Sequence, residues 1–134
     1  AANATLVLPV KVQKLSGTGG TILVTQNDAE VIRGVNINHV DDTHFTFGLS
    51  GGIKINGVAL TAQNQTTQYE YGKWLVLEVA SENKLLSGIT FGNNQNGNRS
   101  SSVMFGAGTE LFVGDDVSKV DAAVTALKTA YNIA

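Results

Sequence analysis

The chain has 134 residues and a mass of 14.0 kDa, one domain's worth of protein and long enough to enclose a core. Hydrophobic residues make up 43% and charged residues only 15%, against roughly 25% charged in an average globular domain, so polarity comes from amides, hydroxyls and 15 Gly. A net charge of −2 gives no electrostatic reason to bind nucleic acid or an anionic membrane, and the lack of Cys excludes disulfides, thiol nucleophiles and thiolate metal sites.

Leu6, Leu8, Val10 and Val12 alternate with Val7, Pro9, Lys11 and Gln13, the period of a half-buried strand. Pro9 cannot donate to a ladder, which predicts an edge or terminal strand. The apolar run 6–10 is too short to cross a bilayer, so no membrane insertion is expected. Ser16-Gly17-Thr18-Gly19-Gly20 is a turn. It lacks the Lys-Ser/Thr of a phosphate loop and leads into a strand, Thr21 to Gln26, instead of a helix. Asn27-Asp28-Ala29 breaks the chain again. Val35, Ile37 and His39 then alternate with Asn36 and Asn38, and Phe45 and Phe47 alternate with His44 and Thr46. Asp41-Asp42-Thr43 joins these two strands as a hairpin loop.

Asn56-Gly57 sits between the apolar pairs of Ile53 to Leu60 and predicts a type I′ hairpin, which needs positive φ twice. A Gln/Asn/Thr loop, Ala62 to Gln68, leads to one long strand from Tyr69 to Ala80, apolar on both faces around Trp74. Ile89 to Phe91 and Val103 to Phe105 flank a polar loop, Asn93 to Ser102, and Thr109 to Val113 is the last strand. Short strands separated by Gly/Asn turns predict an all-β fold, a two-sheet antiparallel sandwich forming a single domain over 1–134.

The period then changes. Val120, Val124, Leu127 and Tyr131 recur at i, i+4, i+7 and i+11, one stripe on a C-terminal α-helix of about 14 residues that packs back on the sheets. Ser118 is the predicted N-cap, with Asp121 as its capping-box partner and Val117 as the staple. Asp115 and Asp116 complement the helix N-terminus and Lys128 its C-terminus.

These later elements resemble a known family. The order Gly72-Lys73-Trp74, strand, Ile89-Thr90-Phe91-Gly92-Asn93, polar loop, Phe105-Gly106, Thr109-Glu110-Leu111-Phe112-Val113, Ser118 helix, Tyr131-Asn132-Ile133 resembles the C-terminal half of concanavalin A-like, laminin G-like jelly rolls. Ile55-Asn56-Gly57-Val58 resembles the family's strand-Asn-Gly hairpin, and the first 50 residues match as a strand count. The Gly- and Asn-rich, Cys-free composition is similar to that of lectin-like domains in bacteriophage virions. The resemblance implies a jelly roll closed by one short helix.

It also directs attention to particular residues. Glucanases of this fold place three carboxylates on alternate positions of one strand, so that acid and nucleophile face one cleft. Here Glu78-Val79-Ala80-Ser81-Glu82 has Ala80 in the middle, and no enzyme is expected; Glu78 reads as a solvated or hydrogen-bonded strand residue. His39 and His44 lie close in sequence, but zinc needs three or four ligands and the chain has 2 His. Laminin G-like domains often hold Ca2+ at a rim through loop carboxylates, ligands of the hardness calcium prefers. Asp41, Asp42, Asp115 and Asp116 are the candidates, with turn formation and helix-end electrostatics as their alternative roles.

Sugar binding needs an aromatic platform together with groups that both donate and accept. Tyr69 and Tyr71 share one strand face, and Asn93, Asn94, Gln95, Asn96, Asn98 and Arg99 form a loop of such groups. Trp74 reads as core, and the Asn-rich loop has mere solubility as its alternative role. The expectation is therefore a non-enzymatic structural component of a virus particle or surface appendage, of the phage decoration or fibre kind, located on a virion or an extracellular surface. Its partners would be other subunits, as a homo-oligomer or in a lattice, without nucleic acid. The alternative is a glycan-binding adhesion module, with or without calcium.

Overall fold

The computed structural model describes residues 4–14, 19–27, 30–49, 52–81, 88–91 and 103–134, with 19–27, 30–34, 81 and 88–91 described by their backbone alone. Eleven strands and one helix follow in order among them. They are β1 (Ala4–Val12), β2 (Gly19–Asn27), β3 (Glu30–His39), β4 (His44–Phe47), β5 (Ile53–Ile55), β6 (Val58–Ala59), β7 (Tyr69–Glu70), β8 (Trp74–Ser81), β9 (Gly88–Phe91), β10 (Val103–Phe105), β11 (Glu110–Val113) and α1 (Val117–Ala130). One sheet runs β10-β1-β8-β5-β6, with β11 also paired to β1; the other runs β7-β4-β3-β2-β9. Every pairing is antiparallel. No helix of the described residues is long and apolar enough to cross a membrane.

Alternation explains where the core sits. Leu6, Leu8, Val10 and Val12 of β1 and Leu75, Leu77 and Val79 of β8 join Val35, Ile37, Phe45 and Phe47 of the second sheet in one buried cluster. The intervening residues Val7 and Val76 face the other way. They meet Val124 and Leu127 of α1, with Phe112 and Tyr131 packed alongside. The predicted helical stripe is thus used internally, and β1 and β8 are buried on both faces.

Two strand expectations are corrected. Pro9 does not mark an edge, because β1 lies inside its sheet between β8 and the pair β10 and β11. Opposite Pro9, Val76 turns its N–H and C=O to Asn56 and needs nothing from β1. The Pro9 nitrogen therefore faces the other side, where β10 ends at Phe105 and β11 begins at Glu110. At this break the Pro9 carbonyl accepts the Gly106 N–H at 3.0 Å, so the missing donor costs no ladder bond.

The run from Tyr69 to Ala80 is two strands in different sheets. Tyr71 N–H bonds Thr43 O beside β4 at 3.0 Å, and the next amide, Gly72, bonds Val12 O of β1 at 2.8 Å. Successive amides serving different sheets demand a sharp reorientation, and Gly72 supplies it at φ 76°. The Asn56-Gly57 hairpin forms as expected, at φ 52° and 85°, and Asn56 Oδ1 also accepts the Val76 N–H at 2.8 Å.

The helix begins two residues earlier than expected. Its N-cap is Asp116, whose Oδ1 accepts the Lys119 N–H at 3.2 Å and the Ser118 hydroxyl at 2.6 Å. Ser118 is already helical and serves the cap instead of being it. Val117 is 63% exposed and makes no staple.

Candidate functional site

Four regions hold the polar chemistry. At the β3–β4 hairpin, Asp41 Oδ1 accepts the N–H of Thr43 at 2.9 Å, the Thr43 hydroxyl at 3.0 Å and the N–H of His44 at 2.8 Å. The Thr43 amide and hydroxyl, with His44, hold this carboxyl down at about 2. Asp41 thus does the turn-forming work expected of the residue type. Asp42 pairs with Lys14 at 3.1 Å on the surface.

His39 and His44 do not converge on one partner. His39 Nδ1 is hydrogen-bonded to Tyr71 Oη at 2.9 Å, while His44 Nδ1 lies 2.7 Å from Thr43 Oγ1 and 3.3 Å from Asp41.

Asp115 and Asp116 lie elsewhere. They follow β11, whose Val113 pairs with Ala4 at the start of β1, whereas Lys14 and Asp42 lie beyond its end. β1 has nine residues, a span of about 30 Å at ~3.3 Å per residue, so no single ion can be shared by all four aspartates. Asp116 is engaged as the helix cap, and the Ser118 hydroxyl and Lys119 N–H lower its pKa. Among the described residues no group of three or more His, Asp or Glu is placed to hold a metal ion.

Tyr69 and Tyr71 point toward the core. The Tyr71 ring lies 5.1 Å from Phe45, and the Tyr69 ring 5.3 Å from Phe47. Burial raises both phenols, and the Asp41 charge raises Tyr71 further. Asn93, Asn94, Asn96, Asn98 and Arg99 lie outside the described residues. Trp74 is half-buried on the outer face of its sheet instead of in the core between the sheets. It packs against Tyr131 at 4.7 Å, with Lys11 Nζ 5.0 Å from its ring. Tyr131 donates to Ala107 O at 2.8 Å. Gly106 beneath it has no room for a Cβ, which would run into the Tyr131 ring.

Two recesses were not legible in advance. The first, about 400 Å³, opens on the outer face of the β3–β4 pair, where Asn38, Thr46, Gln65, Thr66 and Gln68 surround the backbone at Gly48. The alternation that sends Ile37 inward sends Asn38 outward, and the polar loop before β7 folds over it.

The second, about 350 Å³, lies between the start of α1 and the outer face of β5, β6 and β8. Glu78 sits in it, opposite Val7 on one side and Lys54 on the other. It is only 5% exposed, which corrects the solvated half of the expectation of a solvated or hydrogen-bonded strand residue. Burial pushes its carboxyl up, Lys54 offsets part of this, and Asp121 on α1 pushes it up further. Asp115, Asp116 and Asp121 stand around the opening, with Leu60, Val117 and Val120 as apolar walls. Compared with models of known families, with curated proteins and with solved structures, the chain matches none.

Proposed function

We propose that this domain is a non-enzymatic structural module held within a larger assembly, of the kind found in a virus particle or surface appendage, with a laminin G-like jelly roll as its fold. The observation that supports this most directly is an apolar margin. Met104 and Phe105 of β10 and Leu111 and Val113 of β11 are 38–71% exposed along one side of the sheet. Large exposed apolar groups gathered on one margin favour contact with another protein surface, and a neutral, amide-rich exterior suits dense packing of subunits. Sedimentation velocity over a concentration series tests the reading. Self-association that Leu111→Lys or Val113→Lys abolishes is the expected result. A chain that stays monomeric at every concentration removes self-assembly from the proposal.

A second reading, glycan binding, is favoured by the amide-lined recess at Asn38, Gln65 and Gln68. Each amide there can donate and accept at once, as a ring of sugar hydroxyls requires. A glycan array run with calcium and with EDTA distinguishes the cases. Binding lost in EDTA implicates the aspartates at a rim. Binding indifferent to EDTA implicates the amides, and its loss in Gln68→Ala assigns it to this recess instead of the Asn93–Arg99 loop.

A further inference from the structure

The cleft at Glu78 has features that neither assembly nor glycan binding uses. Glu78 is a carboxylate 5% exposed, and it makes no side-chain hydrogen bond or ion pair with the described residues. Native proteins rarely leave such a group without a partner. Lys54 is its cross-strand neighbour and acts on it electrostatically without forming an ion pair. The surroundings add negative charge: among the described residues, Asp115, Asp116 and Asp121 line the same cleft, against Lys54 alone.

The chemistry of these groups narrows the occupant. An anion is disfavoured, because the helix N-terminus is already capped by the Asp116 carboxylate and the flanking aspartates would repel it. A hard dication needs about six to eight oxygens converging on one point, and among the described residues no three carboxylates are placed to converge in this way. What fits is a positive charge carried on a short apolar body, with its charged end toward Glu78 and its body against Leu60, Val117 and Val120. The cleft, at about 350 Å³, lies within the range that takes small organic ligands.

We propose that the cleft between the start of α1 and the outer face of β5, β6 and β8 binds a small primary alkylammonium ion, with Glu78 as its counter-ion and Asp121 as a second attractive charge. The ammonium gives the buried carboxylate the charged donor that the described residues do not supply, and desolvation of the pair inside the cleft strengthens the contact. Ala59, exposed on β6, lines the cleft.

The test uses the full chain and two probes of equal length, n-hexylammonium and n-hexanol, followed by amide chemical shifts. Hexylammonium should move the signals of residues around Leu60, Ala80 and Val120 in a saturable way, and hexanol should bind at least roughly tenfold more weakly, as expected for loss of a charge-assisted hydrogen bond. Glu78→Gln keeps the shape and should lose a similar factor. Asp121→Asn and Ala59→Phe change exposed positions, so they report even if Glu78→Gln does not fold; the first should weaken binding and the second should block it. Equal affinity for the two probes, absence of shifts at these residues, or binding unchanged in Asp121→Asn and Ala59→Phe would overturn the assignment.

Discussion

β1 and β8 each face two interiors, and the two are built differently. Between the sheets, Leu8, Val10, Ile37, Phe45, Phe47 and Leu77 are at most 2% exposed, with Phe45 and Phe47 packed edge to face at 5.4 Å. Under α1 the apolar cluster is smaller. Its neighbours on the same face of β8 are Glu78, buried without a hydrogen bond to the described residues, and Trp74, half-buried under Tyr131. The first interior is closed by two sheets whose strands alternate in register. The second is covered by one helix of 14 residues, which is too narrow to cover a whole sheet face, and the cleft lies where that cover stops. Stability should therefore concentrate in the first interior and ligand chemistry in the second.

Large-to-small substitutions test the first half of that contrast. Phe45→Ala, at 0% exposure, should lower unfolding free energy by about 3–5 kcal/mol, with little collapse of the cavity it leaves. Leu127→Ala, at the helix interface and 7% exposed, should cost about 2–3 kcal/mol, the lower part of the range for its type. Urea denaturation with unchanged m-values measures both. Equal losses would mean that the helix layer is packed as tightly as the space between the sheets. The helix cap gives a smaller and more local effect. Asp116→Ala should lower the denaturation midpoint, and Ser118→Ala should lower it less, since Asp116 holds the Lys119 N–H directly. The reverse order would return the cap to Ser118.

Much of the first interior was legible because it depends on local alternation. Val35/Ile37, Phe45/Phe47 and Leu75/Leu77/Val79 all point inward as their spacing predicts, and the Asn56-Gly57 and Asp41-Asp42-Thr43 turns form where turn chemistry places them. The strand order could not be read so directly. Pro9 looks like an edge residue until the break between β10 and β11 is known, because whether a missing N–H matters depends on what lies opposite. The long run through Trp74 concealed a sheet change, since Tyr71 and Gly72 look the same in sequence whether their amides serve one sheet or two.

The candidate site was least legible. Glu78 alternates with Leu77 and Val79 as any solvated strand residue would, and its burial follows only from the return of α1 over that face. The recess around Asn38 likewise depends on a loop some thirty residues away folding over β4, a closure that alternation on its own strand cannot report.

Two carboxylates carry the contrast into solution, with slopes of opposite sign. Asp41 is held at about 2 against an ordinary 3.8, so the folded state binds fewer protons than the unfolded chain between those values. Its contribution is present above pH 3.8 and is lost as the pH falls toward 2. Glu78 is raised above its ordinary 4.5 by burial, so the folded state binds more protons there. Stability is fully retained below pH 4.5 and declines as the pH rises through the folded value. Denaturation midpoints from pH 2 to pH 8 should therefore fall at both ends. Asp41→Asn keeps an acceptor for the Thr43 and His44 amides while removing the charge, so it should flatten the acid limb alone. Glu78→Gln should flatten the limb above pH 4.5 alone and leave neutral-pH stability equal to or above that of the parent. Should Glu78→Gln instead steepen that limb, the Glu78 carboxylate would have a partner in the folded chain, and the cleft would have no unsatisfied charge to offer a ligand.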